Sequence, residues 1–217
     1  MDIIEIFYRN RNEELAIPMA KYMKNLFPFL GMKKPERAKL ARDFLREKKK
    51  KDKEVDWDFI WKCFNLPERE FQYLAIDYME RVKDLFTPED MKEIERLITT
   101  KSWWDSVDAI NKVVGHIVMK YPELKEGILL EWINSDNIWL KRISIIFQLK
   151  YKERTDRKFL KKAILTNCQT DEFFVDKAIG WALREYSKTN KEWVRDFIDS
   201  HRDKLSKLSI REASKYL

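Results

Sequence analysis

Apolar side chains recur every three or four positions along almost all of the chain, the spacing that gathers them on one face of an α-helix. Ile3, Ile4 and Phe7 begin a first amphipathic helix, and Ala16 to Leu26 reads as a second. The segment Phe27-Pro28-Phe29-Leu30-Gly31 should end it, because proline breaks the hydrogen-bond ladder and glycine suits a left-handed cap. Pro35-Glu36-Arg37 opens the next helix, with proline at a tolerated first-turn position. That helix runs through Leu40 and Phe44 into the basic run Arg46 to Lys53, which reads as a solvated helix end or loop.

From residue 55 onward the pattern repeats. Four apolar stretches each hold a small residue, Ala75, Ala109, Ser144 and Ala178, spaced 34, 35 and 34 apart. A polar break precedes each one: Leu66-Pro67-Glu68, Thr99-Thr100-Lys101-Ser102, Asn134-Ser135-Asp136-Asn137 and Thr170-Asp171. The space between breaks holds two helices of ordinary length, so the unit is a helix pair, and its period is that of helical solenoids. The expected fold is all-α: a superhelical solenoid of HEAT-like antiparallel helix pairs with a concave basic groove, forming a single domain over residues 1–217. The small residue lets the two helices of a pair approach closely, and the four aligned stretches are then the second, groove-lining helices.

Composition narrows the picture. At 217 residues, 44% hydrophobic and 13% aromatic, the chain can build a core and is not disordered. Only 4 glycines and 6 prolines leave too few turns for an all-β fold. Lys and Arg number 44 against 37 Asp and Glu, a net charge of +7 that favours a polyanionic partner such as nucleic acid; a merely basic soluble protein explains it equally well. Cys63 and Cys168 sit apart in amphipathic stretches and read as buried free thiols in a reducing cytoplasm. No signal peptide is expected at Met1-Asp2-Ile3-Ile4-Glu5, and no apolar stretch approaches membrane-spanning length.

The densest chemical signal is Lys101-Ser102-Trp103-Trp104-Asp105-Ser106-Val107-Asp108. Ser102 is a candidate N-cap, with Asp105 as a short relative of the capping-box acid. Trp104 and Asp108, four apart, share one helix face. Arg142 stands close to the Asp108 register in the next repeat, and Trp181 lies on the helix after that. Gly180, costly inside a helix, suggests close approach of something bulky. Three adjacent repeats would thus present two indoles, a carboxylate and a guanidinium to one groove. The alternative places both tryptophans in the core and gives Asp108 and Arg142 structural bonds. Arg157, Lys158, Lys161 and Lys162 form a basic stripe that suits either a phosphate-facing edge or a solvated outer face. The same two readings hold for the run at residues 46–53.

These motifs resemble the AlkD-like family of bacterial DNA alkylation-repair glycosylases. The match is carried by Ser102 to Asp108, Trp139-Leu140-Lys141-Arg142 and Asp176 to Tyr186, together with Tyr22-Met23, Phe27 to Gly31 and Pro35-Glu36-Arg37. The resemblance implies duplex DNA held in the groove and excision of 3-methyladenine and 7-methylguanine type lesions without metal or organic cofactor. It puts the catalytic carboxylate on Asp108, the groove indoles on Trp104 and Trp181, a phosphate-binding arginine on Arg142, and further DNA contacts on Tyr22 and Lys177. It also implies a cytoplasmic, nucleoid-associated monomer with no membrane partner. The alternatives are a non-catalytic member of the same fold that binds DNA structure, and a protein-binding helical scaffold.

The implied chemistry suits the residues. A purine alkylated at N3 or N7 is cationic and leaves as a neutral base, so no general acid is needed; the two histidines, His116 and His201, stand away from the motifs. Asp108 would stabilise an oxocarbenium-like sugar and orient water. The indole faces would hold the cationic sugar, and Arg142 would anchor a phosphate. The family strategy implied is contact with backbone and sugar, not extrusion of the base into a deep pocket.

Overall fold

A computed structural model of the chain describes residues 2–217, which form 13 α-helices joined by short loops and 3-10 turns, with no strand among the described residues. By contacts the chain divides into two units, one reaching to Phe86 and the other Thr87–Leu217.

The first unit holds α1 (Ile3–Arg9), α2 (Glu13–Tyr22), α3 (Lys34–Lys51), α4 (Trp57–Asn65) and α5 (Arg69–Arg81). Ile3, Ile4 and Phe7 of α1 are buried, as their spacing predicted. Helix α2 ends four residues earlier than expected. It stops at Tyr22 because Lys24 and Asn25 adopt left-handed backbone angles, φ 59° and 56°, so the chain turns before the proline. Gly31, expected as a cap, instead sits at φ +90° where a Cβ would lie 1.9 Å from the carbonyl oxygen of Asn12. Its neighbourhood is fixed by Glu70, a fully buried carboxylate that accepts from the backbone N–H groups of Leu30, Gly31 and Met32 at 2.9, 2.9 and 3.1 Å. Three donors satisfy a charge that burial would otherwise penalise heavily. Helix α3 starts with Pro35 in its first turn, as predicted, and packs on α1 and α5. The basic run continues as helix through Lys51.

The second unit holds α6 (Met91–Thr99), α7 (Trp104–Lys120), α8 (Ile128–Asn134), α9 (Ile138–Ile146), α10 (Arg157–Asn167), α11 (Phe173–Ser187), α12 (Lys191–Ser200) and α13 (Lys207–Ala213). Each polar break precedes a second helix: Thr99–Ser102 precedes α7, Asn134–Asn137 precedes α9, and Thr170-Asp171 precedes α11. Successive second helices pack side by side, α7 on α9, α9 on α11 and α11 on α13. The first helices α8 and α10 touch behind them, so successive helix pairs stack in two layers.

The repeat reaches further than its four sequence markers. Ala41 in α3 and Ala213 in α13 are fully buried and stand 34 residues before Ala75 and 35 after Ala178. Ala75, Ser144 and Ala178 are also fully buried. Gly115 in α7 shows how tight the crossing is: a Cβ there would meet the Phe147 carbonyl oxygen at 2.5 Å, and Tyr151 donates its hydroxyl to the Gly115 carbonyl at 2.6 Å. Both cysteines are buried and free, and no helix is long and apolar enough to cross a membrane.

Candidate active site

Three second helices of the Thr87–Leu217 unit bring the predicted residues together. Asp108 lies one turn into α7 and is 19% exposed at its side chain; Arg142 lies in α9 and is 5% exposed. The guanidinium grips the carboxylate with two parallel bonds, Nε to Oδ1 at 2.7 Å and Nη2 to Oδ2 at 2.8 Å. Its Nη1 donates to the Phe174 carbonyl at the start of α11, at 2.5 Å. Three of the five guanidinium N–H groups are thus committed, which fixes the plane and leaves two. The Arg142 guanidinium carbon stands 6.0 Å from the centre of the Trp181 ring, a cation–π approach that places the indole beside the pair. Trp104 opens α7 half-buried, one turn before Asp108 on the same helix face. Asp108, Arg142 and Trp181 therefore meet across α7, α9 and α11, and Trp104 flanks the carboxylate along its own helix.

An aromatic brace underlies this arrangement, and it was not anticipated as a cluster. Trp103, Trp139 and Phe174 each stand at the entrance of a second helix. Their ring centres are 5.8 Å apart for Trp103–Trp139, 5.0 Å for Trp103–Phe174 and 4.9 Å for Trp139–Phe174. The brace fixes Phe174, and Phe174 supplies the carbonyl that holds Arg142. The signal was present in the sequence, as aromatic residues spaced 36 and 35 apart just after the polar breaks.

Local expectations are corrected at Ser102 and reinterpreted at Gly180. Ser102 is not the N-cap of α7. Its hydroxyl donates backward to the Ile98 carbonyl at 2.6 Å, and Trp103 occupies the cap position without a side-chain bond. The left-handed Lys101, φ 48°, moves the helix start one residue along. At Gly180 something does approach closely, and it is α13: a Cβ there would meet Glu212 Cβ at 2.5 Å and the Ser209 carbonyl at 3.0 Å.

Lys177 faces this same contact. Its ammonium pairs with Glu212 at 3.1 Å, and Arg184 and Lys215 reach the same carboxylate at 2.9 and 2.6 Å. Bonds from Lys215 and then Lys177 hold the Glu212 carboxyl down to about 2. One turn before Gly180 on the same face of α11, Asp176 is buried against α13 with Oδ1 unbonded, and burial pushes its carboxyl above the usual range against a smaller opposing bond from Ser206. Tyr22, in the other unit, ends α2 with 70% of its surface exposed. The stripe Arg157, Lys158, Lys161 and Lys162 lies exposed on α10, a first helix. Among the described residues no group of His, Cys, Asp and Glu is arranged to hold a metal ion.

The arrangement offers an oriented, partly exposed carboxylate, with one indole a turn away on its own helix and another beside its arginine. Each carboxylate oxygen accepts one bond from Arg142 and keeps a lone pair for water or for a cation.

Comparison with known proteins identifies relatives of the chain. The sequence model of the DNA alkylation repair enzyme family matches residues 3–217. A solved structure from Enterococcus faecalis, described as a predicted DNA alkylation repair enzyme, superposes with a TM-score of 0.89 at 39% identity. It covers 95% of this chain and 96% of that one. Comparison with curated proteins finds no match.

Proposed function

The chain belongs to the DNA alkylation repair enzyme family, and from that membership we propose that it is a monofunctional DNA glycosylase acting on cationic N3- and N7-alkylated purines in duplex DNA. The observation that carries this reading is the partly exposed carboxylate of Asp108, oriented by the Arg142 fork, with Trp104 one turn before it on the same helix and Trp181 beside Arg142.

The reaction asks little else of the protein. The alkylated base already carries the positive charge that makes it a leaving group. The C1′–N bond breaks with its electron pair passing to the purine, which departs neutral. The sugar becomes cationic as this happens, and Asp108 stabilises it at close range in a partly desolvated site. Water accepts a hydrogen-bonding position on the same carboxylate, its oxygen bonds C1′, and the proton it sheds passes to Asp108. The indole faces of Trp104 and Trp181 hold the sugar as its charge develops.

Arg142 takes two roles in this reading. It fixes the Asp108 carboxylate plane, and its two remaining N–H groups reach a backbone phosphate of the lesion strand. Tyr22 contributes a separate DNA contact. Lys177, tied to Glu212, contributes to the phosphate field while holding α13 against α11. Because the pair is already engaged before DNA arrives, binding costs little reorganisation at the reacting centre.

Incubation with N-methylated duplex DNA, followed by chromatography of released bases, tests the proposal. Free 3-methyladenine or 7-methylguanine is expected, and uracil is expected to stay in uracil-containing duplex. Asp108→Asn should retain duplex affinity within a few fold and lose base release by about 10²-fold or more, the scale of removing one transition-state electrostatic contact. Wild-type binding without any base release would favour the non-catalytic DNA binder. Efficient uracil release would overturn selection by bond lability.

A further inference from the structure

The basic run at the end of α3 is not absorbed by the chemistry above, and its placement is specific. At 100° per residue, Lys39, Arg42, Arg46, Lys49 and Lys50 fall within about 100° of the helix circumference. All five are exposed, and the buried residues Arg37, Ala41 and Leu45 lie on the other side. The stripe spans about 16 Å, near half a turn of B-form DNA.

The remaining charges of α3 are arranged to leave this stripe open. Lys48 turns to the packed side and pairs with Asp52 at 2.9 Å and Asp56 at 2.5 Å. Lys51 pairs with Glu47, and within the stripe Arg46 alone is paired, with Asp43 in a contact where both side chains are exposed. Lys39, Arg42, Lys49 and Lys50 carry no ion pair among the described residues. The acids Glu36, Asp43 and Glu47 lie along one flank and do not interrupt the stripe. Helix stability does not ask for this pattern, because like charges three and four apart repel. The helix dipole favours cations only in the last turn, which leaves Lys39 and Arg42 without that support.

We propose that the exposed stripe of α3 is a second contact with the DNA backbone, taking consecutive phosphates of a duplex and setting affinity without touching the chemistry. It rests on the proposed DNA substrate. Cations that neutralise phosphates release condensed counterions, so the contact reads out in the salt dependence of binding.

The test compares three proteins at several salt concentrations on undamaged and N-methylated duplex. These are the wild type, the triple variant Lys39→Gln/Arg42→Gln/Lys49→Gln, and a charge-matched control, Lys92→Gln/Lys191→Gln/Arg195→Gln, on first helices α6 and α12. The stripe variant is expected to lower the slope of log affinity against log salt by about 2 to 3 and to weaken binding by at least 10-fold near 100 mM salt. The control should change the slope by less than 1. A charge-conserving variant, Lys39→Arg/Arg42→Lys/Lys49→Arg, should restore the slope. Base release at saturating protein should match wild type, and thermal midpoints confirm folding. An unchanged slope, or an equal loss in the control, overturns the proposal. So does a stripe that governs binding to phosphatidylserine vesicles and not to duplex. If the wild type releases no base while the stripe variant still flattens the slope, the glycosylase reading fails and the stripe stands.

Discussion

Glu212 shows how one residue holds the end of the repeat in place. It takes Lys177, Arg184 and Lys215 on one carboxylate, against a helix that Gly180 allows to come close. The folded carboxyl is held down to about 2 from its usual 4.5 by Lys215 and Lys177. A depressed carboxyl contributes stability that is complete above its ordinary value and is lost as pH falls toward the folded one. Glu212→Gln should therefore lower the denaturation midpoint at pH 6 and have little effect near pH 2. Urea titrations at the two pH values check this; an equal effect at both would sink it. Asp176 works in the opposite sense. Its carboxyl is raised by burial, so its contribution declines as pH rises through the carboxylate range.

At the scale of elements, the caps separate what local sequence decides from what packing decides. Asn137 caps α9 by accepting from the backbone N–H groups of Trp139 and Leu140 at 2.9 and 3.4 Å. Ser102, which looks like an equally good cap for α7, bonds to Ile98 behind it. Asn137→Ala is expected to cost about 1 kcal/mol and to loosen the helix that carries Arg142. Ser102→Ala should cost clearly less. Chemical denaturation of the two variants settles the order, and a larger loss at Ser102 would contradict the geometry. The second helices were legible because their periodicity and polar breaks are properties of neighbouring residues. The end of α2 was not, because Asn25 tolerates a left-handed turn but Lys24 before it gives no such signal, and the apolar pattern runs on to Leu26.

For the whole molecule, each unit carries one buried cysteine, Cys63 in the first and Cys168 in the second. Burial pushes the Cys63 thiol up to about 12 and raises that of Cys168 as well. A thiol so buried and so weakly acidic is a poor nucleophile until its surroundings open. Labelling with iodoacetamide at pH 8 should be slow at both sites in the native protein and rapid in denaturant. Mass spectrometry of each cysteine peptide then follows the opening of each unit by itself. Rapid native labelling at Cys63 would contradict its burial.

The all-helical class, the helix-pair period and the segments holding Trp104, Asp108, Arg142 and Trp181 followed from the order of residues, since periodicity, breaks and motif spacing are local quantities. Tertiary packing decided the rest. It turned the Arg142 fork onto Asp108 and the Phe174 carbonyl, gathered Trp103, Trp139 and Phe174 into a brace, tied Lys177 to Glu212, and brought α13 against Gly180. Each of these contacts joins residues about 30 or more positions apart. Their partners are chosen by which helices lie side by side, and no window of neighbouring residues records that choice.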